Sequence, residues 1–422
     1  MVGGHRSRIR QSLLPLATTF WTYILLCLPR VCARNFTLRN EIRGDGFYDS
    51  FYWWNYGDPT HGTVDYVSKR ESQSLNLSYV DSSTGNFVMR AEDASIASPS
   101  SSGRKSIRIH SIDKLQDGIV AMRVKHMPSG CGTWPAFWTC TTSNWPAGGE
   151  IDIVEGANDQ GPRNLASLHT TAGCTIPAGN SSISTGFTGQ TDCQYQPGCS
   201  ESFSLSNSFG PAFNQNGGGW FVMVRDTSPV SSTSNERDLS SSTTTTTTRL
   251  PGPGISIYFY PSSTSSTDLP SFLSTNSTPP FVLTGLNATN PALGGRSGEN
   301  WGRPAAFFPT TPTPALRAMG SSNTTDLAPS CPMDRYFGEH EIIINLTFCG
   351  YWAGETFPYV STCPKNTTCD EYVRNNPRAF SEARWEIEKL LVYTDGASRI
   401  AAPPRIWTLG IGFLLACIIF HC

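Results

Sequence analysis

The chain has 422 residues, a formal net charge of -2 and only 15% charged residues, so it offers no electrostatic footprint for a nucleic-acid partner. Its 38 glycines, 30 prolines and 11% aromatic content suit short strands and many turns better than long helices. The length fits one large all-β domain or two to three ordinary ones.

At the N-terminus His5, Arg6, Arg8 and Arg10 precede an apolar run from Leu13 to Leu28, and "VCA" ends on a small residue, Ala33. Residues 1–33 therefore read as a signal peptide, with an uncleaved membrane anchor as the alternative. Segments of five to eight residues then alternate with turn clusters. "NFVMRAE", "KSIRIHS", "GIVAMRVKHM", "EIDIVEG", "ISIYFYP", "EIIINLTF" and "KLLVYT" all read as strands. Many short strands predict a sandwich or jelly roll. One helical patch is expected over "TCDEYVRNNPRAFSEARWEI", with Pro377 near a helix start. Ser/Thr/Pro-rich stretches at 226–254, 262–280 and 309–328 read as surface loops, or as O-glycosylated segments. The apolar run from Ile406 to Phe420 is too short for the hydrocarbon core of a bilayer. It follows small residues and a spacer, which predicts a lipid-anchor (GPI) signal attached at Gly396, Ala397 or Ser398. A short tail anchor is the alternative. The expected organisation is 1–33 signal, 34–395 one catalytic β-sandwich and 396–422 anchor signal.

Nine cysteines remain between the processed ends, an odd number in an exported chain, so one thiol is left unpaired. No CxxC occurs and "CPKNTTC" holds no histidine, so a disulfide framework is expected rather than a metal site. Asn35, Asn76, Asn180, Asn276, Asn287, Asn323, Asn345 and Asn366 each head a glycosylation triplet, which predicts surface positions for those used.

The chemistry concentrates in "WPAGGEIDIVEG". Glycines bracket it and β-branched residues fill it, so it is a strand. On a strand Glu150 and Asp152 share a face, whereas Glu155 is an odd step away. One β-bulge near Ile153–Val154 would return Glu155 to that face. Two glutamates then lean toward each other at about the 5–5.5 Å a retaining glycosidase needs. Asp152 lies between them, placed to hydrogen-bond the nucleophile and to tune both acids by like-charge coupling. Solvated acids on an exposed strand and a calcium site are the competing readings. Trp134 and Trp138 in "TWPAFW", with Trp145 five residues before Glu150, favour sugar, because flat rings stack on the apolar face of a pyranose.

"HMPSGCGTWPAFW", "WPAGGEIDIVEGAN", "NLASLHTTAGC", "FNQNGGGWF" and "NPRAFSEARWEIEKLLVY" resemble, in order, the fungal laminarinase-like branch of glycoside hydrolase family 16. The resemblance runs from about residue 45 to 394. It implies a β-jelly-roll of two curved antiparallel sheets with a glycan cleft on the concave face. It also implies retaining hydrolysis of β-1,3 or mixed β-1,3/1,4 glucans. By position it makes Glu150 the nucleophile, Asp152 its assistant and Glu155 the acid/base. Trp138 and Trp145 become sugar-stacking residues, with Trp134 beside them, and His169 lies near the acids. No cofactor is implied, and a glucan is the expected partner of a monomer held at the cell surface. Two departures bear on subsites: Arg225 in "WFVMVRD", and Tyr351 in "CGYWAG", where the family has an acid. Cys140 stands where the family often has a small apolar residue, which makes it the candidate free thiol. A transglycosylase would use the same acids, whereas a non-catalytic glucan-binding relative would lack the glutamates.

Overall fold

The computed structural model describes residues 34–179, 183–227, 253–274, 282–286, 301–310 and 330–395. Both chain ends and most of the low-complexity stretches lie outside them. So do the sequons at Asn180, Asn276, Asn287 and Asn323.

Two antiparallel sheets stack face to face. The first has nine strands, in the order 282–286, Arg34–Ile42, Arg384–Asp395, Gly118–His126, Gly219–Asp226, Gly254–Pro261 and Ala306–Pro309. Phe87–Arg90 and Ser78–Val80 attach beside the long Arg384–Asp395 strand. The second has eight strands: β1 (Phe51–Trp53), β2 (Arg108–Ser111), β3 (Thr133–Cys140), β4 (Glu150–Glu155), β5 (Leu165–His169), β6 (Phe187–Thr188), β7 (Cys199–Ser202) and β8 (Glu341–Phe348). Their order across the sheet is β6-β7-β5-β4-β3-β8-β2-β1.

Burial decides which sheet can host a site. The main core lies between the sheets and takes Val120, Met122, Phe221, Ile257 and Leu390 from the first. From the second it takes Ile109, Phe137, Ile151, Ile153, Val154, Leu168, Ile342 and Ile344. The first sheet is also buried on its far side. There Ala121, Trp220, Val222, Tyr258 and Tyr393 pack under Phe272, Leu273 and Trp301. That is why its strands read as continuous apolar runs. The second sheet alternates, so its outer face is free to carry polar chemistry.

Three expectations need correction. The helical patch yields a helix only at Cys369–Asn375, closed by a Thr368–Glu371 capping box, and a 3-10 turn at Pro377–Phe380. "RWEI" opens the Arg384–Asp395 strand, because Trp385 and Ile387 alternate with more exposed neighbours at the period of a strand. The stretch from 262 is no loose loop where it is described, since Phe272 and Leu273 are fully buried. Asn345 is likewise no surface sequon: it is buried in β8 and bonded to Trp138, which leaves no room for a glycan. Asn76 and Asn366 are exposed, as expected.

Four disulfides join Cys131–Cys363, Cys174–Cys331, Cys193–Cys199 and Cys349–Cys369. Among the described residues Cys140 is the free cysteine, and it is buried, as the sequence predicts.

Candidate active site

Glu150 stands opposite Cys140 on β3 and His169 on β5, and Asp152 stands opposite Trp138 and Ser167. Glu155 pairs with Ala136 and Leu165. From Asp152 to Glu155 β4 advances three residues while β3 advances two, and the register slips there. Ile153 and Val154 both turn into the core, each fully buried. This is the bulge the odd spacing demands. Without it, Glu155 would point among the core residues.

The three acids sit in a low-dielectric site. Burial is the largest cause for each and pushes Glu150, Asp152 and Glu155 up to about 8. The Asp152 charge adds to the rise of both glutamates, while His169 opposes it. His169 Nε2 lies 3.2 Å from Asp152 Oδ2. Asp152 therefore meets an imidazole from β5. Gly198 makes room for the ring, since a Cβ there would lie 2.6 Å from His169 Nδ1. Trp134 Nε1 donates to Glu155 Oε1 at 2.9 Å. Like charges this close cannot all ionise together, so the protons leave in coupled steps and one carboxyl can hold a proton while another is a carboxylate. Those are the two states general acid and nucleophile require.

Asp152→Asn removes a negative charge that raises both glutamates, so both become more acidic. Activity needs one ionised and one protonated glutamate, so both limbs of the kcat/KM profile should move to lower pH. Limbs that stayed in place or rose would show that Asp152 does not tune the pair.

Aromatic side chains flank the acids. Trp138 donates its indole N–H to Asn345 Oδ1 at 2.7 Å. The Arg108 guanidinium is sandwiched 5.0 Å from the Trp138 ring and 5.1 Å from Trp54. Arg108 Nε donates to His110 Nε2 at 2.8 Å, and His110 Nδ1 lies 2.9 Å from Glu341 Oε2. Burial pulls His110 down to about 4, so the ring is neutral. With Nε2 accepting, Nδ1 carries the proton toward Glu341. Tyr52 and Thr142 also donate to Glu341. On the other flank Trp145 is 44% exposed and meets Tyr195 edge-on at 5.1 Å. Its loop turns through Gly149 at φ 79°, where a Cβ would lie 2.5 Å from the Phe337 ring.

All seven predicted site residues come together here. Trp134, Trp138 and Trp145 face the acids and do not pack in the core. Arg108, His110, Glu341 and Asn345 were missed. "RIHS" carried a signal, because its period of two places Arg108 and His110 on one face. The departures at 225 and 351 separate. Arg225 does not reach the cleft; it lies fully buried and donates to the carbonyls of Phe337 and Gly338. Gly338 N–H and His340 Nε2 in turn hold the Gly148 carbonyl, so Arg225 supports the Trp145 loop from below. Tyr351 is half exposed against His61 and follows Gly350 in a turn whose next residue, Trp352, meets Trp134 edge-on. Among the described residues, Glu150, Asp152 and His169 offer one ligand atom each within 4.8 Å. Calcium takes six to eight oxygens, which a set containing an imidazole does not suit.

The profile of the XgeA-like catalytic GH16 domain matches residues 51–277 and 252–393. A probable glycosidase of Schizosaccharomyces pombe is 33% identical over 86% of this chain and 71% of its own. An endo-1,3(4)-beta-glucanase of Arthroderma benhamiae is 29% identical over 89% of this chain and 68% of its own. A probable endo-1,3(4)-beta-glucanase of Aspergillus fumigatus is 30% identical over 87% of this chain, which spans only 46% of that relative. Among solved structures, GH16 laminarinase 16A of Phanerochaete chrysosporium, with beta-glucans in donor and acceptor sites, is 33% identical with a TM-score of 0.67. It covers 85% of this chain and 100% of its own. An elongating GH family 16 beta-1,3-glucosyltransferase is 28% identical with a TM-score of 0.65, again over 85% of this chain and 100% of its own. The chain belongs to glycoside hydrolase family 16.

Proposed function

We propose that the chain is a retaining endo-hydrolase of β-1,3 or mixed β-1,3/1,4 glucans. The observation that carries this reading is the bulge, which sets Glu150, Asp152 and Glu155 on one face beside Trp134, Trp138 and Trp145. A carboxylate oxygen of Glu150 attacks the anomeric carbon while Glu155 passes its proton to the departing glycosidic oxygen. The glycosyl ester forms as the carbon–oxygen bond to the leaving sugar breaks. Glu155, now ionised, takes a proton from water, and the hydroxide breaks the ester from the face the first sugar left. Two inversions give net retention. Electrostatics does not rank Glu150 against Glu155, because both are raised alike; their roles come from their places in the family motif.

Purified protein incubated with laminarin, lichenan, galactan and chitin tests the reading. Shortened products from laminarin or lichenan are expected, and cleavage confined to galactan or chitin would overturn it. A second reading, transfer of the glycosyl group to another glucan, is favoured by the similarity to the elongating glucosyltransferase. Products longer than the donor would support it.

Export and a lipid anchor remain our reading of the two chain ends, which lie outside the described residues. Phosphatidylinositol phospholipase C should release the protein from membranes, and continued attachment would mean a spanning tail.

A further inference from the structure

A β-bulge leaves backbone groups out of the ladder, and in a buried strand an unpaired group is destabilising. At this bulge the Ile153 carbonyl and the Glu155 N–H both bond to a side chain. One side chain satisfies both. Asn164 Nδ2 donates to the Ile153 carbonyl at 2.8 Å, and Asn164 Oδ1 accepts from the Glu155 N–H at 3.1 Å. Asn164 is fully buried, immediately before β5, whose first residue Leu165 pairs with Glu155. Its own backbone is tied down as well. Its N–H donates to Ser208 Oγ at 3.0 Å, that hydroxyl donates to the Leu205 carbonyl at 2.7 Å, and its carbonyl accepts from the Phe203 N–H at 2.9 Å.

We propose that Asn164 is a positioning residue for the acid/base: its carboxamide fixes the bulge and thereby the direction in which Glu155 leaves the strand. The role needs one acceptor and one donor on a single rigid plane. A carboxamide supplies both. An aspartate keeps the acceptor but sets an oxygen against the Ile153 carbonyl, and a leucine of similar shape supplies neither. The amide touches no sugar. Its effect on the reaction passes through Glu155, so the proposal rests on the reading of Glu155 as acid/base.

That route gives a test a merely structural role would not pass. Asn164→Asp and Asn164→Leu are compared with Glu155→Gln on laminarin and on dinitrophenyl β-laminaribioside. The dinitrophenolate leaves without a proton, and kcat/KM reports only the steps through its departure. Misplacing the acid should therefore cost the Asn164 variants roughly 100-fold in kcat/KM on laminarin. The loss on the activated substrate should be less than about threefold, with the same selectivity in Glu155→Gln. Equal losses on both substrates, or none on either, in the Asn164 variants would overturn the proposal alone. Equal losses in Glu155→Gln would overturn the acid/base reading and the proposal with it. Should the variants fail to fold, amide hydrogen exchange in the unaltered protein decides. A Glu155 N–H as protected as that of Ile151 is expected, and free exchange would overturn the clamp.

Discussion

Glu150→Gln should lower kcat on laminarin by on the order of 10^4-fold or more while leaving the fold intact. The amide has nearly the shape of the carboxyl and can take its place between Cys140 and His169. What it lacks is the oxygen lone pair of an anion able to form a glycosyl ester. KM should change little, because the stacking rings and the Trp138–Asn345 layer are untouched. The same variant should gain stability at alkaline pH. A carboxyl raised to about 8 by burial favours folding only while protonated. Its contribution is complete below the unfolded value near 4 and fades as pH rises toward 8. An amide does not titrate, so the thermal midpoint of Glu150→Gln should exceed that of the parent at pH 8 and match it more closely at pH 4. Full retained activity would remove Glu150 from the mechanism, and a lower midpoint at pH 8 would contradict the buried, raised carboxyl.

Glu155→Ala should cost about 10^2- to 10^4-fold on natural glucan, the range for loss of a general acid–base. The signature matters more than the size. With the side chain gone, the space beside Trp134 opens at the position where the attacking water must sit. Azide is small, anionic and needs no general base. Added to Glu155→Ala with a dinitrophenyl substrate, it should restore turnover and yield the β-glycosyl azide, because it attacks the ester on the face the leaving group vacated. In Glu150→Ala the same anion should attack the sugar directly and give the α-glycosyl azide. Exchanged products would mean exchanged roles. No rescue in either variant would mean that neither glutamate works as assigned.

Much of the site was legible because a strand is a local object. The three acids, the bracketing glycines and the odd step from Asp152 to Glu155 lie within nine residues, and only a bulge reconciles them. The free thiol was legible for a different reason: Cys140 departs from a family position, and it sits opposite both Glu150 and Glu341, where no second cysteine reaches it. What stayed hidden depends on register between distant segments. Arg108, His110, Glu341 and Asn345 meet only because β2, β8 and β3 are neighbours in space, and nothing in "EIIINLTF" tells which partner its alternate residues will face. Asn345 shows the cost of reading a triplet without its sheet. The Arg225 departure was visible, but its meaning was not. A cation in an apolar strand suggests a cleft, yet here it reaches carbonyls under the Trp145 loop, a contact between residues more than one hundred positions apart.

The central claim is that the bulge at Ile153–Val154 brings Glu155 to the face of Glu150 as the second carboxyl of a double displacement. The most direct measurement is proton NMR of the laminarin digestion, recorded before the new reducing ends mutarotate. The β-anomer should appear first and the α-anomer only later, by equilibration. If the α-anomer appeared first, water would be attacking the glucan directly, and no glycosyl ester at Glu150 could be part of the mechanism.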